Sequence, residues 1–275
     1  MGATFHAQGS NQLPDIGTAG VAALPIEQEV RYGNAFMRFA RAGLPIIDDP
    51  VLNEYIDDLG QRLLTNADGV RFPFTFFLIN DPSINAAAFL GGRVKVHTGL
   101  FLYAESESEL ASVLAHEITH VTQRHIARYM EAQASSSAMT LAGLVGSIAL
   151  AVINPTAGIA ALQTTLGLSM QSAINYTRDN EYEADRIGMK TLYDAGFDPM
   201  GMANFFQKLA AEYRYASKPP EMLLTHPLPE TRISEARARA GSYGARALPP
   251  SLDFWLAKVR IQVRYGTEMP QALLT

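Results

Sequence analysis

No cysteine occurs in this chain of 275 residues, so disulfides, thiolate metal sites and cysteine nucleophiles are excluded together. The absence identifies no redox compartment, but it leaves histidine and carboxylate as the ligands that a metal would need. Charge is also sparse. Only 18% of residues are Asp, Glu, Lys or Arg, the formal net charge is −5, and no long basic run occurs, so nucleic acid is not an expected partner. Met1 to Asn11 has neither a basic segment nor an apolar core, and reads as free of a signal peptide. No internal repeat is visible.

What is present is a 48% hydrophobic chain, long enough for one large or two modest domains with a substantial core. Residues 1–25 read as a flexible lead-in, 26–245 as the main domain and 246–275 as a C-terminal helix. Helical spacing of apolar residues predicts helices from Pro25 to Ala42, from Asp49 to Thr65, from Ser172 to Asp194, from Pro199 to Tyr213 and from Leu252 to Tyr265. A short basic helix is expected from Pro229 to Ala240, ending at Gly241, with Lys218-Pro219-Pro220 as a loop before it. Phe74–Ile79 reads as a strand. Arg93–His97 alternates polar and apolar residues after Gly91-Gly92, and reads as a half-exposed strand at a sheet edge. The expected fold class is therefore α+β, mainly helical, with a small β-sheet. Ala138–Ile153 carries no charge and ends at Asn154-Pro155, and apolar character resumes to Met170. A spanning helix needs about 20 apolar residues, so 138–170 reads as a buried or mobile lid-forming hairpin, a membrane-contacting element or, least simply, a span.

The motif that carries chemistry is His116-Glu117-Ile118-Thr119-His120, H-E-x-x-H. On a helix, positions four apart stand one above the other, so His116 and His120 can offer both imidazoles to one metal while Glu117 stands beside its open position. Ser106-x-x-Glu109 reads as a capping box, and Leu110, Val113, Leu114, Ile118 and Val121 form an apolar stripe, which predicts one helix from Ser106 to Gln133.

A catalytic zinc takes three protein ligands and keeps one position for water. The metzincin pattern fails, because Gln123 and Ile126 stand where it requires Gly and His. Within Asn180–Asp185, Glu181 and Asp185 share a helical face with Gly188 and Leu192, whereas Glu183 shares its side with Arg186 and Lys190. The first face reads as buried. Glu181 is therefore the expected third ligand, and Asp185 the group that orients a histidine ligand through its other ring nitrogen. The plain alternative is a charge-rich surface helix.

H-E-x-x-H followed by E-x-x-x-D resembles the gluzincin metallopeptidases that include HtpX and the CAAX prenyl protease, and most nearly their periplasmic, BepA-like branch. The resemblance extends through Asn85–Gly92, His97-Thr98-Gly99-Leu100, His116–His125 and Thr225–Pro229, spanning residues 25 to 240. It implies a zincin-like domain with one Zn2+ per chain. It further implies hydrolysis of misfolded or misassembled outer-membrane proteins in the periplasm of a Gram-negative bacterium, in the company of the outer-membrane assembly machinery. A repeat domain beginning near Phe254 is implied as well. Two readings from other classes stand beside it: a chaperone-like assembly factor with a mainly latent protease site, and a peptidase of the membrane itself.

The remaining candidates keep two readings each. The resemblance places His226 near the catalytic centre, where it would donate to the oxyanion or bind the metal as a fourth, closing ligand. Arg232 is a site residue or a surface cation. Asn85 would hold substrate backbone or cap its loop. Arg93, Val94, Lys95 and Val96 would add an extended substrate to the sheet edge. His97 reads as structural at the end of a strand, and His125, out of phase with His116, as outside the metal site.

Overall fold

The computed structural model describes residues 20–132, 138–154, 156–158, 160–161, 170–215, 220–244 and 246–266. Most of the predicted lead-in, residues 1–19, and parts of the 138–170 segment and the 218–220 loop lie outside these residues.

In chain order the helices are α1 (Ile26–Gly43), α2 (Pro50–Leu64), α3 (Thr98–Tyr103), α4 (Glu107–Thr122), α5 (His125–Ala132), α6 (Ala138–Ile153), α7 (Met170–Asp194), α8 (Met200–Tyr215), α9 (Glu221–Thr225), α10 (Glu230–Tyr243) and α11 (Leu252–Tyr265). Three strands, β1 (Thr75–Ile79), β2 (Ala86–Phe89) and β3 (Arg93–His97), stand between α2 and α3. The fold is mainly helical α+β, as expected.

The sheet has the order β1-β3-β2. β1 runs parallel to β3, pairing Thr75 with Arg93 through to Ile79 with His97, and β2 runs antiparallel to it, pairing Ala86 with Val96 and Phe89 with Arg93. β3 is thus the inner strand. This corrects the expectation that Arg93, Val94, Lys95 and Val96 form an edge open to substrate. Alternation misled because the polar face is covered: Lys95 is only 2% exposed. Burial pushes its ammonium down to about 8, against the opposing pull of Glu221, Asp81 and Glu117. The Arg93 guanidinium donates to Asn34 Oδ1 at 2.7 Å and to Thr75 Oγ1.

Both faces of the sheet are buried, which is why β1 reads as an unbroken apolar run. Phe76, Leu78, Val94 and Val96 face a core shared with α2, α4, α7, α8 and α11, whereas Phe77, Ile79, Ala87 and Phe89 face a second cluster with Phe36, Met37 and Ala40 of α1, Ala127 and Met130 of α5, and Val152 of α6. Val145, Ile148, Ala149 and Ile153 of α6 pack against that second cluster. Among the described residues no helix is long and apolar enough to cross a membrane.

α4 runs through the middle, buried on nearly every side. Its start follows the capping signal: the Ser106 hydroxyl accepts from Glu109 N–H at 3.2 Å, while the Glu109 carboxylate accepts from Glu105 N–H at 2.8 Å. The predicted single helix to Gln133 is broken, however. Arg124 sits at φ 54°, in the left-handed region, and its buried guanidinium donates to Glu29 of α1 at 2.8 Å and to the Leu24 carbonyl. α5 therefore starts in a new direction. α10 also differs from expectation, running past Gly241 to stop at Gly244, whose φ of 83° ends it.

α11 packs Phe254, Ala257 and Ile261 into the main core, with Phe254 stacked on Phe101 at 5.7 Å between ring centres. Arg260 and Arg264 reach Asp49 at the start of α2, at 2.9 and 3.1 Å. Its opposite side, with Leu252, Trp255, Leu256, Val259 and Val263, is exposed.

Candidate functional site

Three parts of the chain meet at one point: α4 with the H-E-x-x-H motif, the middle of α7, and the turn after α9. Gly188 permits the approach of α7. A Cβ there would stand 3.1 Å from the Ala115 carbonyl oxygen, tighter than the backbone of α4 readily allows. With α7 this close, Glu181 (1% exposed), Asp185 (8%) and Leu192 line its buried face, while Arg186 and Lys190 are exposed.

Ligand atoms of His116, His120, Glu181 and His226 all lie within 4.8 Å of one another. His120 Nε2 is 2.9 Å from His116 Nε2, and the Glu181 carboxylate is 3.3 Å from each of them. His226 Nδ1 is 3.1 Å from Glu181 and 3.4 Å from His116 Nε2. Three imidazole nitrogens and a carboxylate that converge in a buried space form a donor set suited to a divalent transition-metal cation. The residues present therefore fit a metal.

Glu117 stands beside this cluster. One carboxylate oxygen accepts from the Ala88 N–H on the outer rim of β2 at 2.9 Å. The other has no hydrogen-bond partner and lies 3.4 Å from His226 Nε2. Burial raises the Glu117 pKa, and the charges of His226 and His116 only partly oppose that. A carboxyl that is raised, buried and half unpaired beside a metal cluster has the character of a general base.

Behind the ligands, the Asp185 carboxylate lies 3.0 Å from His116 Nδ1. Arg232 clamps Asp185 from the far side with two parallel bonds of 2.7 and 2.8 Å, and also reaches Glu181 at 2.8 Å and the Pro227 carbonyl at 2.6 Å. Arg232 is 2% exposed, so the surface-cation reading fails, and it stands against Glu181 and Asp185. Burial pushes the His116 imidazole down, but the Glu181 and Asp185 carboxylates outweigh it and hold it up at about 10. His120, with less support, is driven by burial down to about 3. Burial opposes ionisation of Glu181 and Asp185 as well, yet the cations around them hold both below the usual carboxylate range.

Asn85 is brought near the site but faces inward. It is 1% exposed, and its side-chain amide donates to Glu221 of α9 at 3.2 Å, tying the element before His226 to the loop before β2. His97 is structural as expected, buried against Ser83 Oγ at 2.8 Å.

Sequence reasoning missed three participants. The Ala88 N–H belongs to a strand that a run of alanines does not announce. Glu221 lies on a helix too short to show a period. His125 lies outside the group of ligating atoms, as its phase predicted, but the turn at Arg124 folds it back so that its Nδ1 stands 2.8 Å from that of His120, a contact the phase did not show.

Comparison with known proteins agrees with this geometry. The model of peptidase family M48 matches residues 50–240. A protein of Vibrio cholerae named putative beta-barrel assembly-enhancing protease is 60% identical over 255 residues, covering 93% of this chain and 53% of the relative. The beta-barrel assembly-enhancing protease of Escherichia coli K12 is 49% identical over 265 residues, 96% of this chain and 54% of that protein. Metalloprotease LoiP, also of Escherichia coli K12, is 26% identical over 209 residues, 72% of this chain and 75% of its own length. The chain thus spans about half the length of the two more similar relatives. With most of α2 through α10 inside the matched region and the H-E-x-x-H helix at its centre, this chain belongs to peptidase family M48.

Proposed function

We propose that the chain is a zinc-dependent endopeptidase domain that hydrolyses peptide bonds of unfolded or misassembled outer-membrane proteins in the periplasm of a Gram-negative cell. The observation that carries the chemistry is the convergence of His116, His120 and Glu181 beside a buried, half-unpaired Glu117. The link to β-barrel assembly draws its support from the names of the more similar relatives, and substrate class and compartment are inferred from that link.

His116, His120 and Glu181 would hold the zinc, which when bound acidifies a water molecule and polarises the scissile carbonyl. Glu117 takes the proton of the attacking water and passes it to the leaving amine. The Ala88 N–H fixes one oxygen of Glu117, so the other is the one turned to this task. Asp185, held by Arg232, keeps the proton of His116 on Nδ1 and leaves Nε2 free to coordinate. An extended substrate would lie along the outer rim of β2, the strand beside Glu117, by strand addition.

The test is Glu117→Gln. Zinc content should be unchanged and casein cleavage should fall by roughly 10²- to 10⁴-fold. Cleavage at the wild-type rate, abolished by a chelator, would show that the base is another residue.

His226 supports a second property of the same site. Its Nδ1 faces the cluster and its Nε2 faces Glu117, which supports a role as a fourth ligand that would close the site at rest. Burial presses its pKa down, but Glu181 and Glu117 raise it. On this reading the domain is self-inhibited until the turn after α9 moves, and the alternative of a chaperone-like assembly factor with a latent protease draws on the same closure. His226→Ala should raise casein turnover if His226 is a lid and lower it if His226 serves the oxyanion. No change would end both roles. Assembly activity that survives Glu117→Gln would favour the chaperone-like factor.

α11 packs with the catalytic unit, and its exposed apolar side is the part that suits a following repeat array.

A further inference from the structure

His125 is buried, with 4% of its side chain exposed, at the start of α5. The left-handed turn at Arg124 folds it back beneath His120, with ring centres 4.8 Å apart and planes at 82°. The two Nδ1 atoms are 2.8 Å apart, a distance that requires one proton between them. On the far side of the ring, His125 Nε2 lies 3.1 Å from Glu183 Oε2, and the same oxygen accepts from Arg128 at 2.6 Å.

Proton accounting allows one arrangement if His120 coordinates a metal. His120 Nε2 faces Glu181 and His116 and must give its lone pair, so its proton sits on Nδ1. His125 Nδ1 must then accept. Its own proton is on Nε2 and is donated to Glu183, whose same oxygen also accepts from Arg128. The facing Nδ1 atoms of His120 and His125 and the pair from His125 Nε2 to Glu183 are all matched in this tautomer set.

We propose that His125 is a positioning residue for the metal centre: it fixes His120 as the Nδ1–H tautomer and aims its Nε2 at the metal, anchored in turn by Glu183 and Arg128. The inference rests on the reading of His116, His120 and Glu181 as a metal site, and adds to it the support of the second histidine.

The test measures metal affinity, apart from catalysis, on the purified chain with Zn2+ and Co2+ in competition with a chelator. His125→Leu removes the acceptor and should weaken both metals by about 10- to 100-fold. His125→Asn places an amide oxygen near the former Nδ1 and should restore affinity to within about threefold of wild type. Glu183→Gln keeps an acceptor and loses the charge, and should cost about 3- to 10-fold. Long-range 1H–15N spectra of the zinc-loaded wild type should show His120 protonated at Nδ1 and His125 at Nε2. If His125→Leu does not fold, these spectra and Glu183→Gln decide alone. Wild-type affinity in His125→Leu or in Glu183→Gln, or a His125 protonated at Nδ1, overturns the inference while leaving the metal site standing. A wild type that binds neither metal overturns the metal reading, and this inference with it.

Discussion

His116 leans directly on Asp185, which a buried arginine clamps, whereas His120 reaches its carboxylate, Glu183, only through a second imidazole. Each arm ends in an arginine, Arg232 in one and Arg128 in the other. Their surroundings differ: the Arg232 and Asp185 side chains are 2% and 11% exposed, against 34% and 25% for Arg128 and Glu183. The inner arm holds its charges where water cannot replace a lost partner. The outer arm sits at the rim, where water can. The same chemical plan should therefore be stiff and indispensable on one side of the metal and forgiving on the other.

The largest effect should come from Arg232→Ala. Removing this cation strands two buried carboxylates, Glu181 and Asp185, and frees the Pro227 carbonyl that fixes the turn after His226. Breaking a buried pair in this way costs on the order of 3–5 kcal/mol, measurable by urea denaturation of the metal-free chain. Arg232→Lys should recover little of it, since an ammonium cannot make the two parallel bonds to Asp185. A loss no greater than that of Arg128→Ala would erase the distinction between the arms.

Asp185→Asn comes next. The amide keeps the shape but turns a donor against Arg232 in either orientation, and it removes the charge that steadies the Nδ1 proton of His116. Zinc affinity should fall by about 10- to 100-fold in chelator competition, and by more than in Glu183→Gln. Equal losses from the two would mean that the intervening imidazole transmits as well as direct contact.

The buried face that carries Glu181 and Asp185 was readable from sequence, whereas Arg232 was left open and the contact of His125 with His120 did not show. Glu181, Asp185, Gly188 and Leu192 lie on a single uninterrupted helix, so helical period alone separates the buried face from the side carrying Arg186 and Lys190. The same reasoning set His125 outside the metal ligands, where it stands, but it could not show the contact with His120, because a phase argument assumes a continuous helix. The break at Arg124 is imposed from afar by Glu29 and Leu24, and arginine gives none of the usual glycine or asparagine warning of a left-handed turn. The sheet shows a related limit. Polar alternation in Arg93–His97 signals water on one face, yet other segments cover Lys95 there and leave it 2% exposed, and the true edge beside Glu117 is the unassuming Ala86–Phe89. Local pattern reports what one element contributes; it does not report what another element brings to cover it.

The smallest effect belongs to Arg128→Ala. Arg128 is a third exposed and its pair with Glu183 is partly solvated, so stability should drop by no more than about 1 kcal/mol, and less in high salt. The difference has a defined pH window. Glu183 is held at about 2 against an ordinary 4.5, by the His125 bond first and then by Arg128. A depressed carboxylate contributes stability that is present above its unfolded value and is lost as the pH falls through its folded one. The gap in melting temperature between wild type and Arg128→Ala should therefore be constant near neutrality, begin to close below about pH 4.5, and be gone near pH 2. A gap that persists into strong acid would mean that Arg128 acts through packing on α5, and that the outer arm ends at Glu183.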